Sequence, residues 1–154
     1  MGHAVRRCLT TLLLAVAASW TLAAQQPAAP AGTGTAGAFE QYERVRAALS
    51  ADKVADVEAP AKALAAMVEP VGGTTAAKAA AALAAAKTLD DARTHFGELS
   101  VILVPIFEKA AIPGATAFMC PMRKQPWMQK GDKTQNPYYG SSMPTCGTPL
   151  PAKK

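Results

Sequence analysis

Met119, Cys120 and Met122 stand together as M-C-P-M near the end of the chain, and Met143 and Cys146 follow as M-P-T-C. Thiolate and thioether sulfurs are soft, polarisable donors, and cysteines combined with methionines select monovalent copper or silver over harder ions. Four of the six methionines, Met119, Met122, Met128 and Met143, lie beyond residue 115. In an extended piece Cys120 and Met122 share one face while Met119 faces the other, which ranks Met122 above Met119 as a ligand. Met143 can reach Cys146 only round a turn, which Pro144 supplies. The candidate ligand set for Cu(I) or Ag(I) is therefore Cys120, Met122, Met143 and Cys146, with Met119 and His95 as secondary candidates. Met128, next to Trp127, reads as a packing methionine.

A second reading uses the same cysteines differently. In an oxidising compartment a Cys120–Cys146 disulfide would close a loop of this length and contribute about 3 kcal/mol or somewhat more. A disulfide has no use for thioethers nearby, so the methionines tilt the balance towards metal. The two states can also alternate, oxidation switching metal binding off and reduction restoring it. Arg123 and Lys124 follow the first cluster and would offset the charge of a dithiolate; as solvated surface residues they need no such role. Structural zinc is disfavoured, because it takes four Cys or His ligands. His95 has no spacing partner on its helix and reads as a surface or half-buried residue. A Cys120–His95 nucleophile pair lacks an orienting third group, and H-E-x-x-H, G-x-S-x-G, P-loop and C-x-x-C-H patterns are all missing from the sequence, so no enzyme is expected.

The elements that must position these residues begin after a targeting segment. Arg6 and Arg7 precede an uncharged apolar run from Cys8 to Leu22 and then small residues, the order of a secretory signal peptide over residues 1–24, cut between Ala23 and Gln25. The run is shorter than the roughly 20 residues a spanning helix needs. The expected product is periplasmic, soluble after cleavage and monomeric. Losing Arg6 and Arg7 takes two units off the formal net charge of +5. The remaining excess is spread thinly, without a dense basic patch, which argues against nucleic acid as a partner. Residues 25–37 are dominated by Pro, Ala, Gly and Thr and read as a flexible linker.

Residues 38–114 read as a helical bundle. Phe39, Tyr42, Val45, Arg46 and Leu49 recur at spacings of three and four, an amphipathic helix. Asp52 is placed to cap a second helix with Val54, Val57, Ala61, Leu64 and Val68 on one face, which Pro60 should kink or break. Pro70, Gly72 and Gly73 end it, and Thr74 or Thr75 can cap an alanine-rich third helix to Ala86. The T-x-x-D signal from Thr88 to Asp91 opens the strongest helix, with Ala92, Phe96, Leu99, Leu103, Ile106 and Phe107 along one face. Pro105 should bend it, and Pro113 with Gly114 stops it. The fold class expected is mainly α, an antiparallel four-helix bundle. Residues 115–154 form an irregular Cys/Met metal-binding segment packed on the bundle through Trp127, Tyr138 and Tyr139. A short β pairing of residues 117–120 with 143–146 would bring the two sulfur clusters together.

The strings M-C-P-M, W-M-Q and N-P-Y-Y-G-S-S-M-P-T-C-G resemble the C-terminal motif of an exported helical domain family of unknown function, found alone or fused to periplasmic adaptor proteins of heavy-metal efflux systems. F-x-x-L-S at Phe96, Leu99 and Ser100 also matches, so the resemblance covers most of residues 39–147. It implies a four-helix bundle and copper or silver binding linked to efflux. Cys120, Met122, Met143 and Cys146 match the sulfur positions; Trp127, Asn136, Pro137, Tyr138, Tyr139 and Gly140 match the framework. Residues 123–126 are shorter and more basic than the glycine-containing segment of the family, and Pro144 replaces a larger residue; both departures bear on loop geometry more than on the sulfur set. The expected function is a metal buffer or metallochaperone for an efflux adaptor or pump. The alternative is a disulfide-closed interaction module of such an adaptor, with no metal site.

Overall fold

In α1, Gly34–Ser50, the residues at three- and four-residue spacing, Ala38, Phe39, Tyr42, Val45 and Leu49, are all buried. The protein is seen in a computed structural model that describes residues 34–151. The expected signal peptide and residues 25–33 of the expected linker lie outside the described residues. Residues 34–37, counted above with the linker, are the first turn of α1.

The end of α1 corrects one expectation. Asp52 does not cap the next helix; it takes a left-handed conformation, φ 58°, just past α1, and Lys53 N–H bonds back to Ala48 O at 2.9 Å. Asp tolerates that backbone region better than most residues, and the tight turn satisfies carbonyls that the helix leaves open. A single 3-10 turn, Val54–Asp56, leads into α2, Glu58–Met67. Pro60 falls within the first turn of α2, where its missing N–H would have had no intrahelical partner. It therefore neither kinks nor breaks the helix. α3, Glu69–Ala85, follows at once and bends at Gly73, whose φ of 75° and ψ of −178° interrupt the helical backbone. α4, Leu89–Lys109, starts at Thr88, whose hydroxyl accepts from Asp91 N–H at 3.2 Å and donates to the Asp91 carboxylate. Pro105 is carried inside α4. Ala92, Phe96, Leu99, Leu103 and Phe107 are buried along its inner face.

The protein is mainly helical, with a small antiparallel sheet on the C-terminal side. α2 packs along α3, α3 along α4, and α1 touches all three. No helix among the described residues is long and apolar enough to cross a membrane.

The segment expected to be irregular contains three strands in the order β2-β1-β3: β1 is Ala115–Cys120, β2 Gln125–Lys130 and β3 Thr148–Pro149. β1 and β2 form a hairpin in which Phe118 faces Trp127 and Cys120 faces Gln125. Lys124, at φ 54°, closes its turn with an N–H to Cys120 O at 2.7 Å. The strand on the other side of β1 is not residues 143–146 but β3, with Met119 across from Thr148. Residues 143–146 are instead a turn following a 3-10 segment, Gly140–Ser142, closed by Cys146 N–H to Met143 O at 3.2 Å. Cys146 is thus delivered next to β1 by the approach to β3.

One chain of aromatic contacts ties helices to sheet. Phe39 meets Phe107 and Tyr42 meets Phe96 with ring centroids 5.2 and 4.8 Å apart; Phe96 meets Tyr138, Tyr138 meets Trp127, and Trp127 stacks on Phe118 at 5.1 Å. Each of these rings is almost fully buried. The phenol of Tyr42 hydrogen-bonds Ser100 Oγ at 2.7 Å and accepts from Met128 N–H at 3.4 Å, which docks β2 on α1 and α4. Burial pushes the ionisation of both Tyr42 and Tyr138 far above the ordinary tyrosine range, so neither phenol carries charge at any working pH.

Candidate functional site

Cys120 ends β1 with no solvent exposure, and Cys146 is half-buried in the turn before β3. Both are free thiols, and the described residues contain no disulfide. One side chain touches both residues, Cys120 at its sulfur and Cys146 at its main-chain carbonyl. Asn136 Nδ2 lies 3.6 Å from Cys120 Sγ and 2.5 Å from Cys146 O. Its Oδ1 accepts from Tyr138 N–H at 2.8 Å, and its main chain bonds Pro144 O through N–H and Gly140 N–H through C=O. Asn136 is fully buried and all its polar atoms are engaged.

The long loop carrying Asn136 is held by side chains from two helices, α1 and α4. Arg46, ion-paired with Glu43 on α1, reaches Gln135 Oε1 at 3.0 Å, and Ser50 Oγ donates to Gln135 O at 3.1 Å. From α4, Arg93 Nε donates to Pro137 O at 3.0 Å while its Nη2 pairs with Asp52. Asp52 in turn accepts from Ser141 N–H at 3.0 Å and from the Ser141 hydroxyl. These bonds, the Ser141 hydroxyl and N–H first and the Arg93 guanidinium next, hold the Asp52 carboxyl below its ordinary range. Tyr138 donates its hydroxyl to Pro126 O, and Gln129 Oε1 collects Trp127 Nε1–H and Gln135 N–H.

This network explains why two glycines stand where they do. Gly140 has φ 52°, and a Cβ there would come within 1.9 Å of Asp52 Oδ1. Gly147, directly after Cys146, passes so close to the Trp127 ring that a Cβ would lie 2.2 Å from Cη2. The N-P-Y-Y-G and C-G strings, with Gln135 and Ser141, touch the helices, β2 and Asp52.

The methionines are distributed differently from the expectation. Met122 sits in the hairpin turn and is 61 % exposed, so the strand alternation that placed it on the Cys120 face ends at Cys120, two residues before it. Met143 is 41 % exposed, at the end of the 3-10 segment. Met119 is half-buried on the opposite pleat face from Cys120. Met128 is buried, a packing residue. The structure thus brings the two cysteines to one amide and leaves Met122 and Met143 at the surface of the adjoining segments. His95 lies on α4 with Nδ1 3.1 Å from Glu98 Oε2, in a shallow groove shared with Lys87 and Asp91 at the end of α3. Arg123 pairs with Asp90 at the start of α4. Among the described residues no three His, Cys, Asp or Glu side chains gather where they could hold a metal ion.

Arg93, Gln129, the anchoring role of Asp52 and the bridging role of Asn136 escaped the sequence reading. Each acts across 10 or more residues of chain or through a loop of no fixed period, so local spacing carries no trace of it; the dipeptide Asn136-Pro137 signalled only a turn. Comparison with protein-family models, with curated proteins and with solved structures returns no match for this chain.

Proposed function

We propose that this chain is an exported binding protein for monovalent copper or silver, built as an antiparallel four-helix bundle that carries the ion on its C-terminal segment. Cys120 and Cys146 are the thiolate ligands, with Met122 and Met143 adding thioethers, and the ion is cargo to be buffered or passed to an efflux adaptor or pump. The reading rests above all on the convergence of two free cysteines, one buried and one half-buried, at the single side chain of Asn136. Two thiolates and neighbouring thioethers are the donor chemistry that d10 monovalent ions prefer. The exposure of Met122 and Met143 suits outer ligands from which a labile ion can be exchanged with a partner. The bundle is supported by the pairwise packing of α1 on α2, α2 on α3, α3 on α4 and α4 on α1.

The same convergence suits the second reading, a disulfide-closed docking module without metal. An anaerobic competition titration separates the two: the reduced chain from Gln25 onwards is mixed with copper(I) and a coloured chelator, beside a Cys120→Ser, Cys146→Ser double variant. One-to-one removal of copper from the chelator by the wild type, lost in the variant, is the expected result. A reduced, folded wild type that takes none leaves the docking module.

A further inference from the structure

The geometry points to Asn136 as the positioning residue of the cysteine pair, an amide that donates one N–H to the metal-bound sulfur of Cys120 and the other to the carbonyl of Cys146. This inference rests on the copper reading above. The orientation of the amide is fixed by its backbone partners. Tyr138 N–H can only donate, so it requires Oδ1, and the Cys146 carbonyl can only accept, so it requires Nδ2. With those two bonds assigned, the remaining N–H of Nδ2 is the one aimed at Cys120 Sγ, 3.6 Å away. The sulfur is therefore the acceptor. An electron-rich sulfur, thiolate or metal-bound, accepts far better than a neutral thiol.

Two consequences follow for an ion held there. The donated N–H supplies a hydrogen bond to the metal-bound sulfur in a place where Cys120 has no water to do so. The second N–H ties the main chain of the turn carrying Cys146 to the same nitrogen, so the backbone from which Cys146 extends is held beside Cys120 before the ion arrives. Outer hydrogen bonds of this kind typically contribute 10- to 100-fold in metal affinity. Asn136 can act so rigidly because its own position is set from Pro144 and Gly140, and its loop is fixed to α1 and α4 through Gln135 and Pro137.

Asn136→Asp is the discriminating variant, since it keeps an acceptor for Tyr138 N–H and removes both donors. The copper(I) competition titration is run on wild type, Asn136→Asp and Cys120→Ser. In parallel, the Asn136 side-chain amide protons of the 15N-labelled wild type are followed by NMR as silver(I), a diamagnetic analogue, is added. The inference expects slow solvent exchange of both protons in the metal-free protein, a shift of the sulfur-facing one on silver(I) addition, and copper(I) binding at least about tenfold weaker in Asn136→Asp with its helical circular dichroism unchanged. If the wild type binds while its amide protons stay put or exchange freely, the inference is overturned, and that result needs no variant to fold. A folded Asn136→Asp that binds like wild type overturns it equally. If wild type and Cys120→Ser both leave copper with the chelator, the copper reading itself falls and takes the role at the ion with it.

Discussion

Residue by residue, the candidate site divides into buried and exposed sulfur, and the two kinds should respond differently to substitution. Met122 and Met143 are exposed, so Met122→Leu and Met143→Leu leave the fold intact and change only donor chemistry. Each is expected to weaken copper(I) binding in the competition titration while the unfolding free energy from urea denaturation stays within about 0.5 kcal/mol of wild type; unchanged affinity in both removes them from the ligand set. Gly147→Ala tests the opposite case, a change with no donor chemistry at all. Its new methyl must displace the Trp127 ring, so the expected cost is about 1–3 kcal/mol of stability, read by urea denaturation. Residue types were legible in the sequence because soft donors are rare and clustered there. What they touch was not. Nothing in the string 136–147 distinguishes an Asn that opens a turn from one that reaches 16 residues back to a cysteine, and alternation cannot place Met122 once the strand has turned.

Helices were the easiest elements to read, because each buries one face and writes a period of three and four into the chain. The misplaced features are those decided by long-range partners. Asp52 looked like a helix cap and is instead the anchor between α4 and the 3-10 segment; β2 has no alternation to announce it, carries Pro126, and joins β1 through a turn with Lys124 rather than glycine at its positive φ. Pro126 is tolerated because β2 is an edge strand. The Asp52 anchor has a pH signature whose sign follows from its depressed carboxyl. A carboxyl that titrates lower in the folded state than its ordinary 3.8 contributes its full stability above that value. That contribution is lost as pH falls from there through the lower, folded value. Wild type should therefore be more stable than Asp52→Asn at neutral pH, with the gap in urea midpoint closing as pH drops below about 4. A gap that is constant from pH 7 to pH 2.5 would show that the Asp52 charge does not hold the loop.

At the scale of the whole molecule, the aromatic contacts from Phe39 to Phe118 make helices and sheet one core, and this decides how metal binding can be felt. Trp127 is the only tryptophan beyond Trp20, and it is buried between Phe118, Tyr138 and Gly147. Its fluorescence therefore reports the sheet and the cysteine-bearing turn, while circular dichroism at the helical minimum reports α1 to α4. If the core is continuous, the two signals lose structure in a single urea transition with coincident midpoints. A tail that merely rests on the helices would release Trp127 first. Binding adds a second constraint: an ion that binds only the folded chain stabilises it by about 2.7 kcal/mol at a free concentration of a hundred times Kd. In a single cooperative unit that increment must appear in both signals equally, although the proposed ligands all lie on the C-terminal segment. A copper(I)-dependent shift of the Trp127 transition with the helical transition unmoved would mean that the segment folds around the ion on its own, and that the helices serve as a platform rather than as part of the site.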